Sequence, residues 1–496
     1  MSLIDIRCLT FAYEGSYENI FEELSLQLDS SWKLGLVGRN GRGKSTLLRL
    51  LAGTLPHGGA VSMPLEPVYF PAAVSHPEEE TRSVLEKLAP ELPLWRLKRE
   101  LALLEVDEGA LYRPFSTLSG GEQVKVQLAL LFLREGCFPL IDEPTDHLDL
   151  EGRRLVSGYL RRQRGFVLVC HDRAFLDGCT DHILALNRQD AQLRQGNFSA
   201  WWRDKENRDA WEQAENRRLL REIAQLEAAA RRTAAWSDRT EQGKYASKNS
   251  GLRPDRGYVG HKAAKLMRRA KSAQARQQAA AEQKAALLHN VEYAQPLKLR
   301  PLEHPKRRLV ELERVSPSYG AGPVCAPVSL VLERGERIAL TGRNGAGKSS
   351  LLKLVCGEAI PHTGRLELAS GLAVSYVPQD AAFLQGGLSR FAEESGIDGS
   401  LFKTILRKLD FSRSQLEKDM ADYSAGQKKK VLLARSLCQS AHLYVWDEPL
   451  NYVDLFSRMQ LEELLREYPC AMLLVEHDAR FLEVVGARAV AVERQG

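Results

Sequence analysis

The chain has 496 residues, a length that favours two large domains with additional structure over a single domain. Hydrophobic residues make up 44% of it and charged residues 27%, and no apolar run approaches the roughly 20 residues that cross a bilayer, which argues against a fused membrane transporter. The net charge is +5, the eight cysteines form no CxxC pair, and no secretory signal opens the chain, so reduced thiols and a cytoplasmic location are expected.

The first glycine-rich motif is GRNGRGKST, from Gly38 to Thr46, and it follows the apolar run KLGLVG. It fits the phosphate-binding pattern GxxxxGK[ST], in which glycines let backbone N–H groups wrap phosphates and a helix begins with its positive end toward them. Lys44 is predicted to reach the β and γ phosphates of a nucleotide, and Ser45 to ligate Mg²⁺. The alternative is a glycine-rich turn that only caps a helix.

Two further strands of the first half end in polar residues. The run CFPLIDE ends at Asp142, which is predicted to hold Mg²⁺, and Glu143, which is placed to polarise an attacking water. The run VLVCHD contains His171, 28 residues after the glutamate, and this side chain is predicted to orient the γ-phosphate and the water. Solvated acids and a structural histidine are the alternatives.

The middle of the chain carries most of the positive charge. Residues 239–276 contain 11 Lys and Arg against two Asp and Glu, which indicates a polyanionic partner. Residues 203–236 lack Pro and Gly and place apolar residues on one helical face, and residues 261–290 are predicted to form a second helix. The glycines and Pro254 between them predict an antiparallel hairpin with a basic tip at about 237–260. A solvated coiled-coil spacer is the alternative.

Tyrosines lie among the Lys and Arg residues of this tip. That mixture suits contact with phosphates together with stacking on bases exposed in folded RNA. The candidate RNA contacts are Lys244, Tyr245, Lys248, Arg253, Arg256, Tyr258, Lys262, Lys265, Arg268 and Arg269.

The second half of the chain repeats the first. The motif GRNGAGKSS, from Gly342 to Ser350, recurs at an offset of 304 residues and presents Lys348 and Ser349 at the positions of the first lysine and serine. Short β-rich runs alternate with helical stretches in both copies. The repeat therefore predicts an α/β fold with a parallel sheet in each copy.

The acidic strand end and the histidine also recur. The strand HLYVWDE ends at Asp447 and Glu448, and LLVEHD supplies His477. The distance from the P-loop lysine to the aspartate is 98 residues in the first copy and 99 in the second, so a duplication is the simplest account.

Together with LSGGE, YSAGQ and DEPTDHLD, these motifs are similar to those of ABC ATPases over about 190 residues in each half. The resemblance implies two cassettes in which the signature of one completes the nucleotide site whose P-loop lies in the other. It also places an aromatic residue against adenine. The nucleotide contacts that it implies are Tyr13, Gly38, Asn40, Gly41, Gly43, Lys44, Ser45, Thr46, Ser119, Gly120, Gly121, Tyr319, Gly342, Asn344, Gly345, Gly347, Lys348, Ser349, Ser350, Gln379, Ser424 and Gly426.

The implied cofactors are ATP as the substrate and Mg²⁺ as the metal. The resemblance implies that Mg²⁺ is held by Ser45 and Asp142 in one site and by Ser349, Gln379 and Asp447 in the other.

Three positions depart from the family pattern. Ala72 stands where the first cassette would carry the glutamine that senses Mg²⁺, Arg42 replaces a small residue in the first P-loop, and Ala425 replaces a glycine in the second signature. The two sites are therefore predicted to be unequal.

Two cassettes joined by a helical hairpin, without a membrane domain, resemble the ABC-F proteins that bind ribosomes. The runs GYVGHKAAKLMRRAK, GNFSAWW and LNYVD are similar to the antibiotic-resistance branch, the Lsa and Vga type. The resemblance implies that the ATP-bound protein enters the ribosomal E site and contacts rRNA and the P-site tRNA region. Its hairpin tip would reach toward the peptidyl-transferase centre and relieve inhibition by lincosamides, pleuromutilins and streptogramin A. No membrane partner and no stable oligomer are implied.

Three other functions stay open. A housekeeping ABC-F translation factor is disfavoured because 47 residues from Ala72 to Ser119 and 45 from Gln379 to Ser424 leave the first cassette no room for an arm insertion, and no C-terminal extension is expected. A DNA-repair ATPase would carry its coils within a cassette. A transporter subunit would need a docking helix, and none is evident.

The sequence thus predicts three parts. These are a first ATP-binding domain at 1–202, a helical hairpin at 203–305 and a second ATP-binding domain at 306–496.

Overall fold

The computed structural model describes residues 2–13, 19–89, 93–187, 191–242, 297–320 and 322–495, together with residues 272, 275 and 276. It separates into two compact units, one made of Met1–Trp201 with Ala294–Gly496 and the other of Trp202–Tyr293. The first unit contains both cassettes. All candidate RNA contacts from Lys244 to Arg269 lie outside the described residues, as do residues 243–260 of the predicted tip and most of the predicted return helix. Residues 237–242, predicted to belong to the tip, lie instead in the helix Phe198–Gln242.

The first cassette contains a mostly parallel sheet and a small antiparallel one. The main sheet has the order β5-β6-β7-β3-β8-β9 and is parallel except for β9, and the small sheet has the order β2-β1-β4. Its strands are β1 (Leu3–Phe11), β2 (Phe21–Asp29), β3 (Lys33–Gly38), β4 (Gly58–Ser62), β5 (Glu66–Phe70), β6 (Cys137–Asp142), β7 (Phe166–Val169), β8 (His182–Leu186) and β9 (Ala191–Gln195).

Helices pack around these sheets and continue into the linker. Two short 3-10 turns, Glu108–Tyr112 and Phe115–Thr117, precede the signature motif. The helices are α1 (Lys44–Leu51), α2 (Thr81–Leu88), α3 (Leu94–Leu103), α4 (Gly120–Leu133), α5 (Leu150–Arg161), α6 (Arg173–Cys179) and α7 (Phe198–Gln242).

The second cassette repeats this plan. Its main sheet is parallel with the order β14-β15-β16-β12-β17, and its antiparallel sheet has the order β11-β10-β13. The strands are β10 (Arg308–Pro317), β11 (Val328–Glu333), β12 (Arg337–Thr341), β13 (His362–Leu368), β14 (Val374–Val377), β15 (Leu443–Asp447), β16 (Ala471–Val475) and β17 (Arg488–Ala491). The helices are α8 (Lys348–Val355), α9 (Leu388–Glu394), α10 (Gly399–Lys408), α11 (Ala425–Cys438), α12 (Leu455–Glu467) and α13 (Ala479–Val485), with 3-10 turns at Gln415–Glu417 and Met420–Asp422.

Burial explains why these runs form central strands. Every residue of β6, β7, β15 and β16 is buried, and their sequences are rich in Leu, Val, Ile and Phe. Continuous apolar runs of this kind are typical of parallel strands with both faces covered. The predicted α/β fold with a parallel sheet in each copy is therefore confirmed.

The first linker helix is longer than the predicted 203–236. It begins at Phe198 because Phe198 and Trp201 are buried in contact, with ring centroids 5.4 Å apart, and Asn197 accepts a hydrogen bond from Ala200 N. It runs for 45 residues, about 68 Å at the α-helical rise, up to the first glycine. No helix in the described part of the chain combines the length and apolarity needed to cross a membrane.

A buried ion pair ties α11 to the start of α12. Asp454 has no exposed surface, accepts hydrogen bonds from Ser457 N and Ser457 Oγ, and lies 2.5 Å from the ammonium of Lys430. Burial would raise the pKa of Asp454, but Lys430 and Ser457 outweigh it and hold the pKa well below its ordinary 3.8. The corresponding Asp149 is half-buried and caps α5 through Gly152 N.

We expect the substitution Asp454→Asn to destabilise the protein strongly. Asparagine can still cap α12, but the loss of charge leaves the buried Lys430 ammonium unpaired, at a cost of about 3–5 kcal/mol. Calorimetry should show a Tm about 10 °C lower. Asp149→Asn is the matched control and should shift the Tm by no more than about 3 °C.

The pH dependence of this Tm difference has a defined sign. Because the pKa of Asp454 is lowered in the folded state, its stabilisation is complete above the ordinary value and declines only as the pH falls below it. The difference between the wild type and Asp454→Asn should therefore be constant from about pH 8 to about pH 5. A difference that vanished near neutral pH would contradict the assignment.

Candidate functional site

The first P-loop connects β3 to α1 through a glycine that no other residue could replace without strain. Gly43 has a φ of 83°, and a Cβ there would lie 2.5 Å from Ile20 Cγ2. The next residue, Lys44, is buried and donates from Nζ to Gly38 O at 2.9 Å and Arg39 O at 3.2 Å. Lys44 is thus folded over a loop that precedes a helix N-terminus, the arrangement that binds phosphates.

The second P-loop has the same geometry. Gly347 has a φ of 91°, and Lys348 Nζ donates to Gly342 O at 2.7 Å and Arg343 O at 3.0 Å. Burial lowers the pKa of both P-loop lysines, and the neighbouring catalytic-site carboxylates partly offset it. A bound phosphate would stabilise the charged form of both lysines.

The two strand-end aspartates are buried carboxylates beside the P-loop serines. Burial raises the pKa of Asp142, with Tyr69 and Ser45 opposing the shift, and it raises the pKa of Asp447 to about 6, with Ser349 opposing it. One oxygen of Asp142 and both oxygens of Asp447 accept no hydrogen bond of standard geometry within the described chain.

Such carboxylates and hydroxyls are the ligand types that Mg²⁺ takes in nucleotide sites, where it binds one or two carboxylates and the phosphates. The residues present therefore fit the metal. No group of three or more His, Cys, Asp or Glu side chains converges into a dedicated metal cage in the part of the chain that the structure describes.

The two candidate catalytic glutamates have a strained backbone. Glu143 and Glu448 follow the aspartates with φ values of 48° and 46°, a left-handed conformation that is uncommon outside glycine. The N–H of Glu143 donates to Val169 O at 3.0 Å, and that of Glu448 donates to Val475 O at 2.9 Å. Non-glycine residues held this way concentrate at functional sites, and the sequence motifs gave no sign of the strain.

In the first site the glutamate is paired with its histidine. His171 Nε2 lies 2.9 Å from Glu143 Oε1. Burial would raise the pKa of Glu143, but the interactions with His171 and Lys44 outweigh burial and lower this pKa. For His171, burial is the largest effect, and it lowers the pKa of the imidazole. The pair therefore consists of an ionised carboxylate and a neutral imidazole. Burial and the Glu143 charge raise the pKa of the adjacent Asp146 to about 7.

In the second site the glutamate is held by two amides. Gln379 Nε2 donates to Glu448 Oε2 at 3.0 Å, and Asn451 Nδ2 donates to the same oxygen. The histidine is farther away, since His477 Nε2 lies 3.8 Å from Glu448 Oε1, and burial lowers its pKa to about 3. Asn451 corresponds to Asp146, whose ionised form has no proton to donate.

A cleft of about 920 Å³ opens over the second P-loop. Residues 344–350, Gln379 and Glu448 line it, together with Asp146 and His147 of the first cassette. Most of the predicted contacts of this site are thus brought together. The signature residues Ser119 and Gly121 and the aromatic Tyr319 are not among the residues that line the cleft.

Each P-loop asparagine bonds to the opposite cassette. Asn40 Nδ2 donates to Tyr452 O at 3.1 Å, and Asn344 Nδ2 donates to His147 O at 3.2 Å. A Cβ on Gly426 would lie 3.2 Å from Asn40 Nδ2. The second signature therefore lies beside the first P-loop.

Both signature serines are helix caps. Ser119 accepts from Glu122 N at the start of α4, and Ser424 accepts from Gln427 N at the start of α11. Each forms a reciprocal capping box that fixes the helix N-terminus, where an anion is favoured.

The two candidate adenine partners are exposed. Tyr13 is 43% exposed, contacts Phe11 edge-on and shares a hydrogen bond of 3.0 Å with Thr46 Oγ1. Tyr319 is 52% exposed. Their role against adenine stays a prediction.

One contact of the first site was missed in the sequence. Tyr69 OH donates to Asp142 Oδ2 at 2.6 Å, and burial together with this bond raises the pKa of Tyr69 to about 12. The corresponding Tyr376 hydroxyl is buried without a described partner. The shared Tyr-x-Pro pattern ahead of Ala72 and Gln379 was the available signal.

Comparisons with known proteins agree with the two repeated sites described above. A family model described as ABC transporter matches residues 21–146 and 325–451. The chain is 28% identical to the ribosome protection protein VmlR of Bacillus subtilis, over 98% of this chain and 86% of that protein. It is 29% identical to the ATP-binding protein Uup of Caulobacter vibrioides, over 96% and 75%, and 28% identical to the probable ATP-binding protein YheS of Escherichia coli K12, over 93% and 75%.

Solved structures share the fold. An archaeal ribosome recycling factor, aABCE1, crystallised with the ribosomal stalk protein aP1, matches with a TM-score of 0.59 and 21% identity over 93% of this chain and 83% of that one. The two matched segments span half of the chain and each contains one P-loop and one acidic strand end. The chain therefore belongs to the ABC transporter family as a tandem ABC-F protein, and its similarity to VmlR agrees with the Lsa and Vga type predicted from its motifs.

Proposed function

We propose that this protein binds ribosomes in its ATP-bound state, protects them from antibiotics that act at the peptidyl-transferase centre, and leaves after hydrolysis. One observation carries the proposal. The similarity to the ribosome protection protein VmlR extends over 98% of this chain, so it includes the linker as well as the cassettes. The antibiotic classes that we propose are lincosamides, pleuromutilins and streptogramin A.

The linker would supply the ribosome contact. We propose limits of 203–305 for it, between ATP-binding domains at 1–202 and 306–496, with a basic tip at about 237–260. The excess of Lys and Arg in residues 239–276 suits rRNA near the E site and the P-site tRNA region. These partners imply a cytoplasmic location and require neither a membrane protein nor a stable oligomer.

We propose the same division of labour in each nucleotide site. Lys44 and Lys348 neutralise the β and γ phosphates of ATP, and the backbone N–H groups of each P-loop bind them. Glu143 and Glu448 take a proton from the attacking water, and His171 and His477 orient that water and the γ-phosphate. Mg²⁺, held by Asp142 with Ser45 and by Asp447 with Ser349 and Gln379, supplies further charge neutralisation when it is bound.

We infer that both sites are composite. The reciprocal bonds from Asn40 to Tyr452 and from Asn344 to His147 support this inference, because each P-loop already touches the other cassette. The capped N-terminus of α11, beginning at Ser424, would face ATP on the first P-loop, and that of α4, beginning at Ser119, would face ATP on the second.

A housekeeping translation factor is the second candidate. The chain matches the ATP-binding proteins Uup and YheS at 29% and 28% identity, about the level of its match to VmlR, so sequence identity alone does not single out protection. The two functions differ in their drug phenotype.

The double variant Glu143→Gln with Glu448→Gln should accumulate on ribosomes. Without the proton-accepting carboxylates hydrolysis slows by a factor on the order of a hundred or more, so the ATP-bound form persists. Co-sedimentation with ribosomes in ATP should rise about 10-fold over ADP. The Lys44→Ala with Lys348→Ala double variant is the control and should stay in the supernatant. A glutamine variant that failed to pellet in ATP would refute ribosome binding.

Drug susceptibility separates the two candidate functions. Expression of the wild-type protein in a susceptible strain should raise the minimum inhibitory concentrations of a lincosamide, a pleuromutilin and streptogramin A at least about 4-fold. The Glu143→Gln with Glu448→Gln variant should give no protection, because it cannot leave the ribosome. Unchanged concentrations with the wild-type protein would favour the translation factor.

The substitution Ser424→Asp tests whether the sites are composite. Aspartate caps a helix as well as serine does, so α11 should persist, but its charge would repel the γ-phosphate on the first P-loop. In a Glu448→Gln chain only Glu143 acts, so single-turnover phosphate release reports the first site and should fall by a factor on the order of a hundred. In a Glu143→Gln chain it reports the second site and should change by less than about 3-fold. Ser119→Asp should give the mirror pattern. If each aspartate blocked the site of its own cassette, the composite arrangement would be wrong.

A further inference from the structure

The second cassette contains a buried lysine that the proposed chemistry does not use. Lys429 is the fifth residue of α11, five residues after the signature serine, and only 2% of its surface is exposed. Its ammonium donates to Pro378 O at 2.9 Å, to Gln379 O at 3.2 Å and to Asp447 O at 3.0 Å. An ammonium has three N–H donors, so all of its bonds are committed to backbone carbonyls.

These three carbonyls belong to two different parts of the site. Pro378 and Gln379 begin the loop after β14, and Asp447 is the last residue of β15. Lys429 therefore fastens the loop to the strand end. Both parts continue into the site, since Gln379 Nε2 donates to Glu448 Oε2 and Glu448 directly follows Asp447.

A buried lysine is an uncommon residue for fastening a loop to a strand end. Burial lowers the pKa of Lys429 to about 8, and the nearest opposing charges are those of Asp447 and Glu448. A buried cation with no carboxylate at hydrogen-bond distance destabilises the folded protein. We expect such a residue only where its hydrogen bonds hold a functional part of the site in place.

The first cassette lacks the whole arrangement. Val124 occupies the position of Lys429, and Ala72 that of Gln379. There the loop is held by a different residue, because Ala72 N donates to Gln127 Oε1 at 3.0 Å. Lysine and glutamine are thus present together in one cassette and absent together in the other.

We propose that Lys429 is a positioning residue of the second nucleotide site, which acts through the backbone of Gln379 to hold the Gln379 amide against Glu448. The inference rests on the proposed two-site ATPase. Lys429 borders the cleft over the second P-loop, but its three N–H donors are all committed to backbone carbonyls, so its loss should slow hydrolysis without weakening ATP binding.

The test uses the full chain with Glu143→Gln, so that only Glu448 hydrolyses ATP. Adding Lys429→Met keeps the apolar stem and removes the three donors, and single-turnover phosphate release should slow about 10-fold. The Kd for a fluorescent ATP analogue should change less than about 2-fold. Val124→Met places the same residue at the equivalent position of the first cassette and should leave both quantities unchanged.

Two readouts separate positioning from a general loss of structure. Hydrogen exchange should speed up in peptides that cover residues 376–382 but not in the rest of the second cassette. In a chain that also carries Gln379→Ala, Lys429→Met should slow hydrolysis by less than about 2-fold more, because the amide through which it acts is already gone. Full multiplicative effects of the two substitutions, or unchanged exchange at 376–382, would overturn the proposal.

If the methionine variant does not fold, Lys429→Arg provides the same test. It retains charge and donors, but its larger planar head displaces the loop, so hydrolysis should slow in the presence of Gln379 and not in its absence. If the Glu143→Gln chain with Lys429 intact releases no phosphate, the two-site ATPase itself fails, and that result is distinct from failure of the lysine proposal.

Discussion

Both nucleotide sites depend on how the chain leaves the buried strand at the centre of each sheet. β6 and β15 have every residue buried, and each carries an aspartate to its C-terminal end. The following glutamate takes a left-handed φ, and its N–H donates to the last valine of the neighbouring strand. That bond keeps the strained residue in place and directs its carboxylate into the site. The two cassettes differ in the side chains that contact this carboxylate.

Local features were predictable from the sequence, and contacts between distant segments were not. Both P-loops and the parallel sheets follow from glycine spacing and apolar runs, so the fold was predicted. The bond from Tyr69 to Asp142 joins two strands 73 residues apart in the chain, and the Tyr-x-Pro pattern marks the tyrosine without giving the register that brings it to the aspartate. The amides on Glu448 could not be anticipated for the same reason. The start of α7 at Phe198 was missed because aromatic burial, rather than the absence of Pro and Gly, fixes it.

The differences between the cassettes are correlated rather than scattered. In the second cassette two amides hold Glu448, and a buried lysine holds the loop that carries one of them. In the first cassette the corresponding positions are an alanine, an aspartate and a valine, and the glutamate is paired with His171 instead. Each set is internally consistent, because a carboxylate needs either donors from its loop or a close imidazole to fix its orientation. Transferring one member alone to the other cassette would therefore reproduce neither arrangement.

The bonds that each P-loop asparagine makes to the opposite cassette have a consequence for how tightly the two halves must associate. Separate cassettes would have to find each other from dilute solution, whereas the halves of one chain meet at an effective concentration that the length and stiffness of the linker set. Contacts as modest as two amide hydrogen bonds and the ion pair of Arg173 with Glu462 can therefore hold the halves in register without a large, permanent interface. Because the halves are covalently linked, their contact does not carry the entropic cost of bringing two separate molecules together.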